Sequence, residues 1–388
     1  MSPSKTLPAH RKTVIHNVRV FDSCTGNLGA SQTVVIDGDV IGSSTEGADE
    51  TVDGQGGVLL PGLIDAHVHL HHEGHLRALA KHGVTTALDM ATWPAEKMNG
   101  LRARAGLPDI LSAGLPATAP GSIHSHILPL PEEAMLRGPD GADAFVEHRI
   151  QEGSDYIKLI ADVPGPSQAT LDALTRAAHE KQKMVVVHAS ASTPFKMALD
   201  AKADIITHAP RDRCVDAELV ERMKADGIVS VPTLVMMQEI SKRPPMSAML
   251  GLLRSPSLFM ALVRSNRSAE GKQQYEHAKE SVAMMHRAGV PILAGTDCHE
   301  EPGTFVNVQH GESLHRELQL LVEAGLSNVE ALRAATVLAA EHFGFRDRGI
   351  VKEGNRADLV LLRDDPTQDI RATRAIERVW CAGVPFVL

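Results

Sequence analysis

The sequence predicts an α/β protein built on a (β/α)8 barrel, and two observations carry that prediction. Eight short apolar runs between residues 58 and 297 alternate with stretches of helical periodicity. At both ends of the chain, apolar and polar side chains alternate as they do in half-buried strands, at residues 13–21 and 33–42 and again at 357–363 and 376–388. A doubly wound parallel sheet is the alternative, but no GxGxxG or GxxxxGK motif follows a strand to support nucleotide binding.

The strand patterns at the two ends predict one small β domain. Residues 13–21 and 33–42 read as strands, and the Asp37-Gly38 pair is a turn signal. Residues 357–363 and 376–388 repeat the pattern near the other end. We therefore expect a discontinuous β domain from segments 1–57 and 346–388, with the barrel over residues 58–345.

The barrel prediction depends on the order of the apolar runs and of the helices between them. The runs are 58–69, 85–91, 109–115, 156–162, 184–190, 205–209, 228–234 and 291–297. Helical periodicity is clearest at 73–82, 167–181, 216–226 and 313–324. Eight strands that alternate with helices are typical of a barrel whose chemistry lies at the carboxyl ends of its strands.

One insertion, residues 236–289, separates the seventh and eighth predicted strands. It holds seven of the chain's 14 methionines. Methionine-rich surfaces adapt to varied apolar partners. Helix packing or a contact between copies in a homo-oligomer is the favoured interpretation, and a lid over the substrate is the alternative.

Composition and charge narrow the class of protein. The chain has 388 residues, of which 43% are hydrophobic and 22% charged, as in globular proteins. It lacks a run of about 18 apolar residues and an apolar leader, so we expect neither a membrane partner nor secretion. The formal charge of −9 argues against nucleic acid as a partner. Four widely spaced cysteines fit a reducing, cytoplasmic location.

Histidine is the unusual residue type, and its placement predicts a metal site. His67 and His69 are two residues apart in an apolar run, so in a strand both side chains point to the same face. His188, His208 and Asp297 each stand at the carboxyl end of a further predicted strand. Four imidazoles and a carboxylate suit a transition metal and contain too much nitrogen for calcium.

Lys158 lies within a predicted barrel strand, on the same face as Tyr156 and Ile160. A buried, charged lysine without a partner is costly. Beside metal ions, a neutral lysine can react with carbon dioxide and become a carbamate that bridges two metals. A structural lysine paired with an acid is the alternative.

Together these residues resemble the amidohydrolase superfamily, in particular its dipeptidase/prolidase-like and imidazolonepropionase-like branch. The resemblance covers nearly the whole chain. The motifs that carry it are LPGLIDAHVHLH (60–71), GVTTALDM (83–90), YIKLIAD (156–162), VVVHA (185–189), ITHAP (206–210), VPTL (231–234), LAGTD (293–297), the HG pair at 310–311 and GNRADLVLLRDDP (354–366). The resemblance implies a TIM-like barrel with a β-sandwich formed by both terminal segments.

The resemblance also implies the roles of the site residues. His67, His69 and Asp297 would hold one metal, His188 and His208 the other, and carboxylated Lys158 would bridge them. The cofactors would be two divalent transition-metal ions, with zinc the expected metal. A hydroxide between the metals would attack the substrate carbonyl, and catalytic Asp297 would pass its proton to the leaving nitrogen.

Two segments depart from the pattern of that branch. DVPGPSQAT (162–170) replaces the glycine-rich run after the lysine strand, and SIHSHILPLP (122–131) replaces a histidine-glycine motif. Loops at a barrel mouth shape substrate choice. His124, His126, His299 and His310 are therefore predicted substrate contacts, not ligands.

The sequence-based hypothesis is a binuclear hydrolase that cleaves an amide C–N bond in a small-molecule substrate. A dipeptide, an N-acyl amino acid or a similar small amide is the expected substrate class. A lactonase or cyclic-imide hydrolase with the same centre is the first alternative. A catalytically inactive binding or scaffold protein is the second, and the complete ligand set argues against it.

Overall fold

The computed structural model describes residues 11–242, 268–300 and 306–387. In these ranges the strands form an eight-stranded, a four-stranded and a three-stranded sheet. The strands are β1 (Lys12–Asp22), β2 (Asn27–Asp37), β3 (Val40–Gly42), β4 (Glu50–Asp53), β5 (Val58–Pro61), β6 (Leu63–Val68), β7 (Val84–Asp89), β8 (Asp109–Ser112), β9 (Ile157–Ile160), β10 (Val185–His188), β11 (Ile205–Thr207), β12 (Val229–Val231), β13 (Leu359–Leu362), β14 (Ile376–Cys381) and β15 (Val384–Phe386).

The eight-stranded sheet contains strands from both ends of the chain. Its order is β15-β14-β13-β5-β1-β2-β3, and β4 also pairs with β1. Ile15, Leu59 and Trp380 are fully buried in one core cluster on this sheet. The two ends of the chain therefore meet in one sheet, while the domain boundaries at residues 57 and 346 stay predictions.

The first predicted barrel run, 58–69, forms two strands instead of one. Its first part, β5, pairs parallel with β1 and antiparallel with β13, so it belongs to the eight-stranded sheet. Its second part, β6, pairs parallel with β7. An uninterrupted apolar run does not reveal this change of sheet, because both strands are buried along their whole length.

The other two sheets are parallel and carry the candidate site. Their orders are β6-β7-β8 and β12-β11-β10-β9. Parallel bridges extend the pairing beyond the named strands, from Ala117 to Leu159, from Ser230 to Ile292 and from Val68 to Cys298. Residues of β6, β7, β9 and β10 have little exposure, as expected for parallel strands covered on both faces.

The eighth predicted barrel strand, 291–297, does not form a regular strand. Its backbone bonds to Ser230 on one side and to Ala66 on the other, without a ladder of consecutive pairs. Pro291 has no N–H to donate, and Asp297 has a left-handed backbone with φ of +56°. The segment still lies beside β6 and β12, where the prediction placed it.

Helices follow most of the parallel strands, and some of them have recognisable caps. Ser167 accepts a hydrogen bond from the Thr170 N–H at the start of one helix, and left-handed Gly227 ends another. The helices are α1 (Glu73–Lys81), α2 (Ala95–Leu101), α3 (Ile123–Ile127), α4 (Ala142–Gln151), α5 (Gln168–Glu180), α6 (Ser192–Asp200), α7 (Ala217–Asp226), α8 (Leu234–Ile240), α9 (Ser268–Ala288), α10 (Glu312–Glu323), α11 (Asn328–Ala334) and α12 (Val337–His342). Short 3-10 turns lie at Glu132–Ala134, Pro139–Gly141 and Ile370–Arg374.

The methionine-rich insertion is described only at its two ends. Met236 and Met237 on α8 and Met285 on α9 are buried in the main core. Residues 243–267, with Met246, Met249 and Met260, lie outside the described residues. The described methionines therefore pack helices onto the core, and the choice between lid and interface stays a prediction.

Among the described helices, none combines the length and the apolar character needed to cross a bilayer.

Candidate metal centre

His67 and His69 lie at the carboxyl end of β6, with Asp297 opposite them. Nε2 of His69 lies 2.9 Å from Oδ1 of Asp297, and Nε2 of His67 lies 3.3 Å from the same oxygen. His67 is only 1% exposed. The three ligand atoms all lie within 4.8 Å of one another, so these residues could hold one metal ion.

A buried carboxylate fixes the relative positions of the two segments that carry this triad. Asp65 accepts hydrogen bonds from the His67 N–H at 3.2 Å and from the Thr296 N–H at 3.0 Å. The Thr296 hydroxyl donates to its second oxygen at 2.7 Å. Burial raises the pKa of Asp65 to about 7. Asp65 therefore ties β6 to the segment of Asp297.

Two further imidazoles lie beside the triad. The ring centre of His208 is 5.0 Å from that of His67 and 4.2 Å from that of His188. Nδ1 of His208 lies 2.7 Å from the Thr233 hydroxyl. The structure thus brings His188 and His208, from the ends of β10 and β11, next to the triad as the sequence predicts.

Lys158, the second residue of β9, is buried at 4% exposure and lies close to the second pair of imidazoles. Its Nζ donates a 2.9 Å hydrogen bond to the hydroxyl of Thr207, the residue before His208. Burial lowers the pKa of Lys158 to about 7, although the Asp297 carboxylate acts in the opposite direction. A large fraction of the amine is therefore neutral near pH 7, and the neutral amine is the form that reacts with carbon dioxide.

The electrostatic state of these groups is the one that metal binding requires. Burial lowers the pKa of His67 to about 3, and it lowers the pKa values of His188 and His208 well below the usual range. Burial alone would raise the pKa of Asp297, but His67 and the neighbouring imidazoles hold it well below its usual range. Neutral imidazoles and an ionised carboxylate are the metal-binding forms of these ligands.

Three residues of the site have a left-handed backbone, although none is glycine. The φ angles are +74° at His208, +48° at Thr233 and +56° at Asp297. Such conformations cost on the order of 1–3 kcal/mol each and cluster at ligand-binding sites. These left-handed conformations lie after β11, after β12 and after the 291–296 segment, and they set the direction in which the side chains of His208, Thr233 and Asp297 leave the backbone.

Two buried ring nitrogens test whether the residues fit a metal. In the part of the chain that the structure describes, Nδ1 of His67 and Nε2 of His188 have no hydrogen-bond partner. A buried polar atom without a partner costs about 1–3 kcal/mol. Nε2 of His188 could ligate an ion, whereas in His67 the nitrogen that faces Asp297 is Nε2 and not the unpartnered Nδ1. The donor set, its charge state and the unpartnered nitrogen of His188 therefore fit transition-metal ions.

The two histidines of the SIHSHILPLP segment lie on the short helix α3 and differ in surroundings. His124 is half-buried, with its ring centre 4.4 Å from that of His188. Its Nδ1 lies 2.8 Å from Oδ2 of Asp162. His126 is exposed. Of this predicted pair, only His124 is thus placed beside a metal ligand.

The other two predicted substrate contacts lie near His69. His310 is buried; its Nδ1 is 2.7 Å from a Glu300 carboxylate oxygen, and its Nε2 is 2.9 Å from the His69 carbonyl oxygen. Both ring nitrogens thus have protein partners, which favours support of the His69 backbone over substrate contact. The ring of His299 stands edge-on to that of His69 at 6.2 Å, so its predicted contact stays a prediction.

Sequence reasoning missed three polar residues of the site. Asp65 precedes the HxH pair inside an apolar run, Asp162 follows the lysine strand, and Thr233 belongs to the VPTL motif. A polar residue within or directly after a barrel strand is a usable signal in each case. Their partners, however, are distant in sequence and become visible only in the fold.

Comparison with models of protein families assigns most of the chain to one family. The model of the amidohydrolase family matches residues 58–385. An uncharacterized protein of Mycobacterium tuberculosis is 27% identical over 366 residues, covering 87% of each chain. An adenine deaminase of a Methylobacterium species is 24% identical over 382 residues, covering 96% of this chain but only 58% of that enzyme.

Comparison with solved structures supports the fold. The crystal structure of a Xaa-Pro dipeptidase with methionine bound in its active site superimposes with a TM-score of 0.80. The match covers 96% of this chain and 99% of the dipeptidase at 23% identity. These comparisons imply a TIM-barrel-like α/β fold.

Proposed function

The chain belongs to the amidohydrolase family, and we propose that it is a binuclear metal-dependent hydrolase that cleaves an amide C–N bond. The observation that carries the proposal is the convergence of its ionisable groups. Five separate segments of the parallel-strand region contribute the residues that come together, which are His67, His69, His188, His208, Lys158 and Asp297.

Two divalent ions, with zinc expected, would be held by these residues. His67, His69 and Asp297 would bind one ion and His188 and His208 the other, with a carbamate on Lys158 between them. Such ions lower the pKa of bound water and polarise a carbonyl group. The low pKa of Lys158 supports the carbamate, because the free amine must be neutral to react.

Asp297 is the proposed catalytic residue. It is ionised, and one carboxylate oxygen lies near both His67 and His69. It would accept a proton from the attacking water and deliver it to the leaving nitrogen. Asp65 holds the segment of Asp297 against β6 through Thr296, and therefore maintains this position.

A dipeptide, an N-acyl amino acid or a similar small amide is the proposed substrate class. The resemblance to a Xaa-Pro dipeptidase structure supports this choice. Exposed Ile123 and Ile127 flank His124, and exposed Val163 follows its partner Asp162. These side chains would suit an apolar group on the substrate.

The proposal extends to architecture and surroundings. We propose that the parallel bridges at Ala117, Ser230 and Val68 complete a (β/α)8 barrel, and that the eight-stranded sheet corresponds to the terminal β-sandwich. All four cysteines are free thiols, which supports a cytoplasmic location. A small-molecule substrate, no nucleic-acid or membrane partner, and self-association complete the proposal.

Removal of the bridging amine tests the centre. Lys158→Ala should lose most of its activity and one of two bound metal ions, whereas Lys181→Ala, which changes an exposed lysine, should keep both. Supply of ¹³C-labelled bicarbonate should give a carbamate NMR signal in the wild type and none in Lys158→Ala. Full activity and full metal content in Lys158→Ala would remove the bridging role.

A substrate panel tests the bond that is cleaved. Metal-loaded protein would be assayed with dipeptides, N-acyl amino acids, lactones, cyclic imides and adenine. Turnover of the linear amides alone is the expected outcome. Turnover confined to lactones or cyclic imides would replace the amidase proposal, and no turnover with both metals bound would favour a binding protein.

A further inference from the structure

The two segments that depart from the family pattern meet in the fold. His124, from the 122–131 segment, lies on α3, and Asp162, from the 162–170 segment, follows β9. Oδ2 of Asp162 accepts a hydrogen bond from the His124 N–H at 3.1 Å and lies 2.8 Å from His124 Nδ1. Asp162 is 5% exposed. The two departures from the pattern therefore bring together a half-buried histidine and a buried aspartate, both metal-ligating residue types.

This pair also lies against a residue of the proposed metal centre. The ring centre of His188 is 4.4 Å from that of His124 and 4.2 Å from that of His208 on its inner side. One ligand atom each from His124, Asp162 and His188 lies within 4.8 Å of the others. His188 thus lies close to two sets of donors. The inner set contains His208 and the other residues of the proposed binuclear centre, and the outer set contains His124 and Asp162.

We propose that His124, Asp162 and His188 form a divalent transition-metal site, here called the outer site. Two imidazoles and one carboxylate are a donor set typical of zinc and of ferrous or cobaltous ions, and three protein ligands leave positions open. The outer site shares His188 with the proposed binuclear centre, but it depends neither on Lys158 nor on cleavage of an amide.

The hydrogen bonds of the three donors favour a metal site over a simple hydrogen bond between His124 and Asp162. The Asp162 carboxylate fixes both the backbone and the ring of His124, so the imidazole is held in place before any ion binds. Nε2 of His188 is buried and has no hydrogen-bond partner among the described residues. The His124–Asp162 hydrogen bond leaves that nitrogen without a partner, so it stays available to an ion that His124 and Asp162 also ligate.

The outer site gives a metal ion on His188 two alternative sets of partners. Inward, the ion would share His208 and Lys158; outward, it would share His124 and Asp162. Exposed Ile123 and Val163 are the sequence neighbours of its ligands His124 and Asp162. His124 and Asp162 both lie in the two segments, 122–131 and 162–170, that depart from the pattern of the branch the sequence resembles.

Metal titration of matched variants tests the outer site. Chelator-treated wild type, His124→Asn and Asp162→Asn would be titrated with cobaltous ion, followed by absorption spectroscopy and by metal content after gel filtration. His126→Asn is the matched control, because His126 lies on the same short helix and is exposed. Circular dichroism of the metal-free proteins checks that each variant is folded.

We expect one class of bound cobalt to weaken by about tenfold or more in both His124→Asn and Asp162→Asn, and to remain in His126→Asn. Identical isotherms for all four proteins would overturn the outer site. The same loss in His126→Asn would also overturn it, because the effect would then come from helix α3 and not from ligation.

Lys158→Ala distinguishes this proposal from the proposed function. The outer class of cobalt should persist in Lys158→Ala, since none of its three ligands is changed. If the substrate panel fails while this class persists and is lost in His124→Asn, the outer site stands without the amidase. If Lys158→Ala removes the class, the outer site is wrong and the inner centre accounts for all the metal.

Discussion

At the scale of single residues, the hydroxyl of Thr233 orients His208, one of the proposed metal ligands. The hydroxyl lies 2.7 Å from Nδ1 of His208, which fixes one ring nitrogen and the orientation of the ring. Thr233 keeps this position with a left-handed φ of +48°, an uncommon conformation for a β-branched residue. Conformations this costly cluster at ligand-binding sites, which agrees with the proposed role of His208 as a metal ligand.

Replacement of Thr233 by valine should therefore weaken metal binding. Valine keeps the shape of the side chain but cannot bond to His208, and loss of such a supporting partner typically costs about 10–100-fold in metal affinity. Thr233→Ser keeps the hydroxyl and should remain close to the wild type. Competition with a chromogenic chelator measures the affinity, and equal affinity in Thr233→Val and the wild type would contradict the supporting role.

At the scale of secondary-structure elements, a carboxylate from one helix holds the first turn of another. Glu317 on α10 is fully buried and accepts hydrogen bonds from the N–H groups of Leu234 at 2.9 Å and Val235 at 2.7 Å. These groups begin α8, directly after Thr233. Burial nevertheless raises the pKa of Glu317 to about 8, against the effect of the two N–H donors.

This raised pKa predicts how stability depends on pH. The ordinary pKa of 4.5 applies to the unfolded chain, so between about pH 5 and pH 8 the folded state binds more protons at Glu317 than the unfolded state. The free energy of unfolding should therefore fall as pH rises through this window, by up to about 1.4 kcal/mol per pH unit. Glu317→Gln removes this contribution.

Urea unfolding of the metal-free proteins at pH 6, 7 and 8 measures the effect as a difference. We expect Glu317→Gln to gain stability relative to the wild type as pH increases. Glu323→Gln, at the more exposed end of the same helix, should follow the wild type. A constant difference between Glu317→Gln and the wild type at all three pH values would show that Glu317 is ionised throughout.

The elements themselves were largely predictable, because their signals are local. Helical periodicity and caps placed α1, α5, α7 and α10 within one residue of the observed ends. The errors occurred where pairing decides the outcome. The run 58–69 changes sheets between Pro61 and Leu63, and residues 291–297 lie beside β6 and β12 without a regular ladder. Apolar character indicates burial, but it does not specify the neighbouring strand.

At the scale of the whole molecule, site residues with a local sequence signal could be predicted, and those that depend on contacts between distant segments were missed. His67, His69, His188, His208 and Asp297 could be predicted from the sequence because each stands in or directly after an apolar run, and the carboxyl ends of parallel strands meet at one edge. The contact of His124 with Asp162 could not, because it joins two loop segments whose path depends on the assembled fold. The sequence identified both segments as departures, but not as neighbours.

The wide separation of the ligands in sequence predicts that metal removal destabilises the whole fold. Asp297 lies 230 residues after His67. An ion bound by both residues would join β6 to the 291–297 segment, which also lies beside β12. An ion that binds only the folded state stabilises it by about 2.7 kcal/mol at 100 times its dissociation constant. Chelation should therefore lower the midpoint of thermal unfolding, and zinc should restore it. Asp297→Asn should show a much smaller response to both treatments, since it lacks the carboxylate that contacts His67 and His69. Differential scanning calorimetry measures these midpoints, and an equal response in Asp297→Asn and the wild type would mean that the stabilising ion binds elsewhere in the chain.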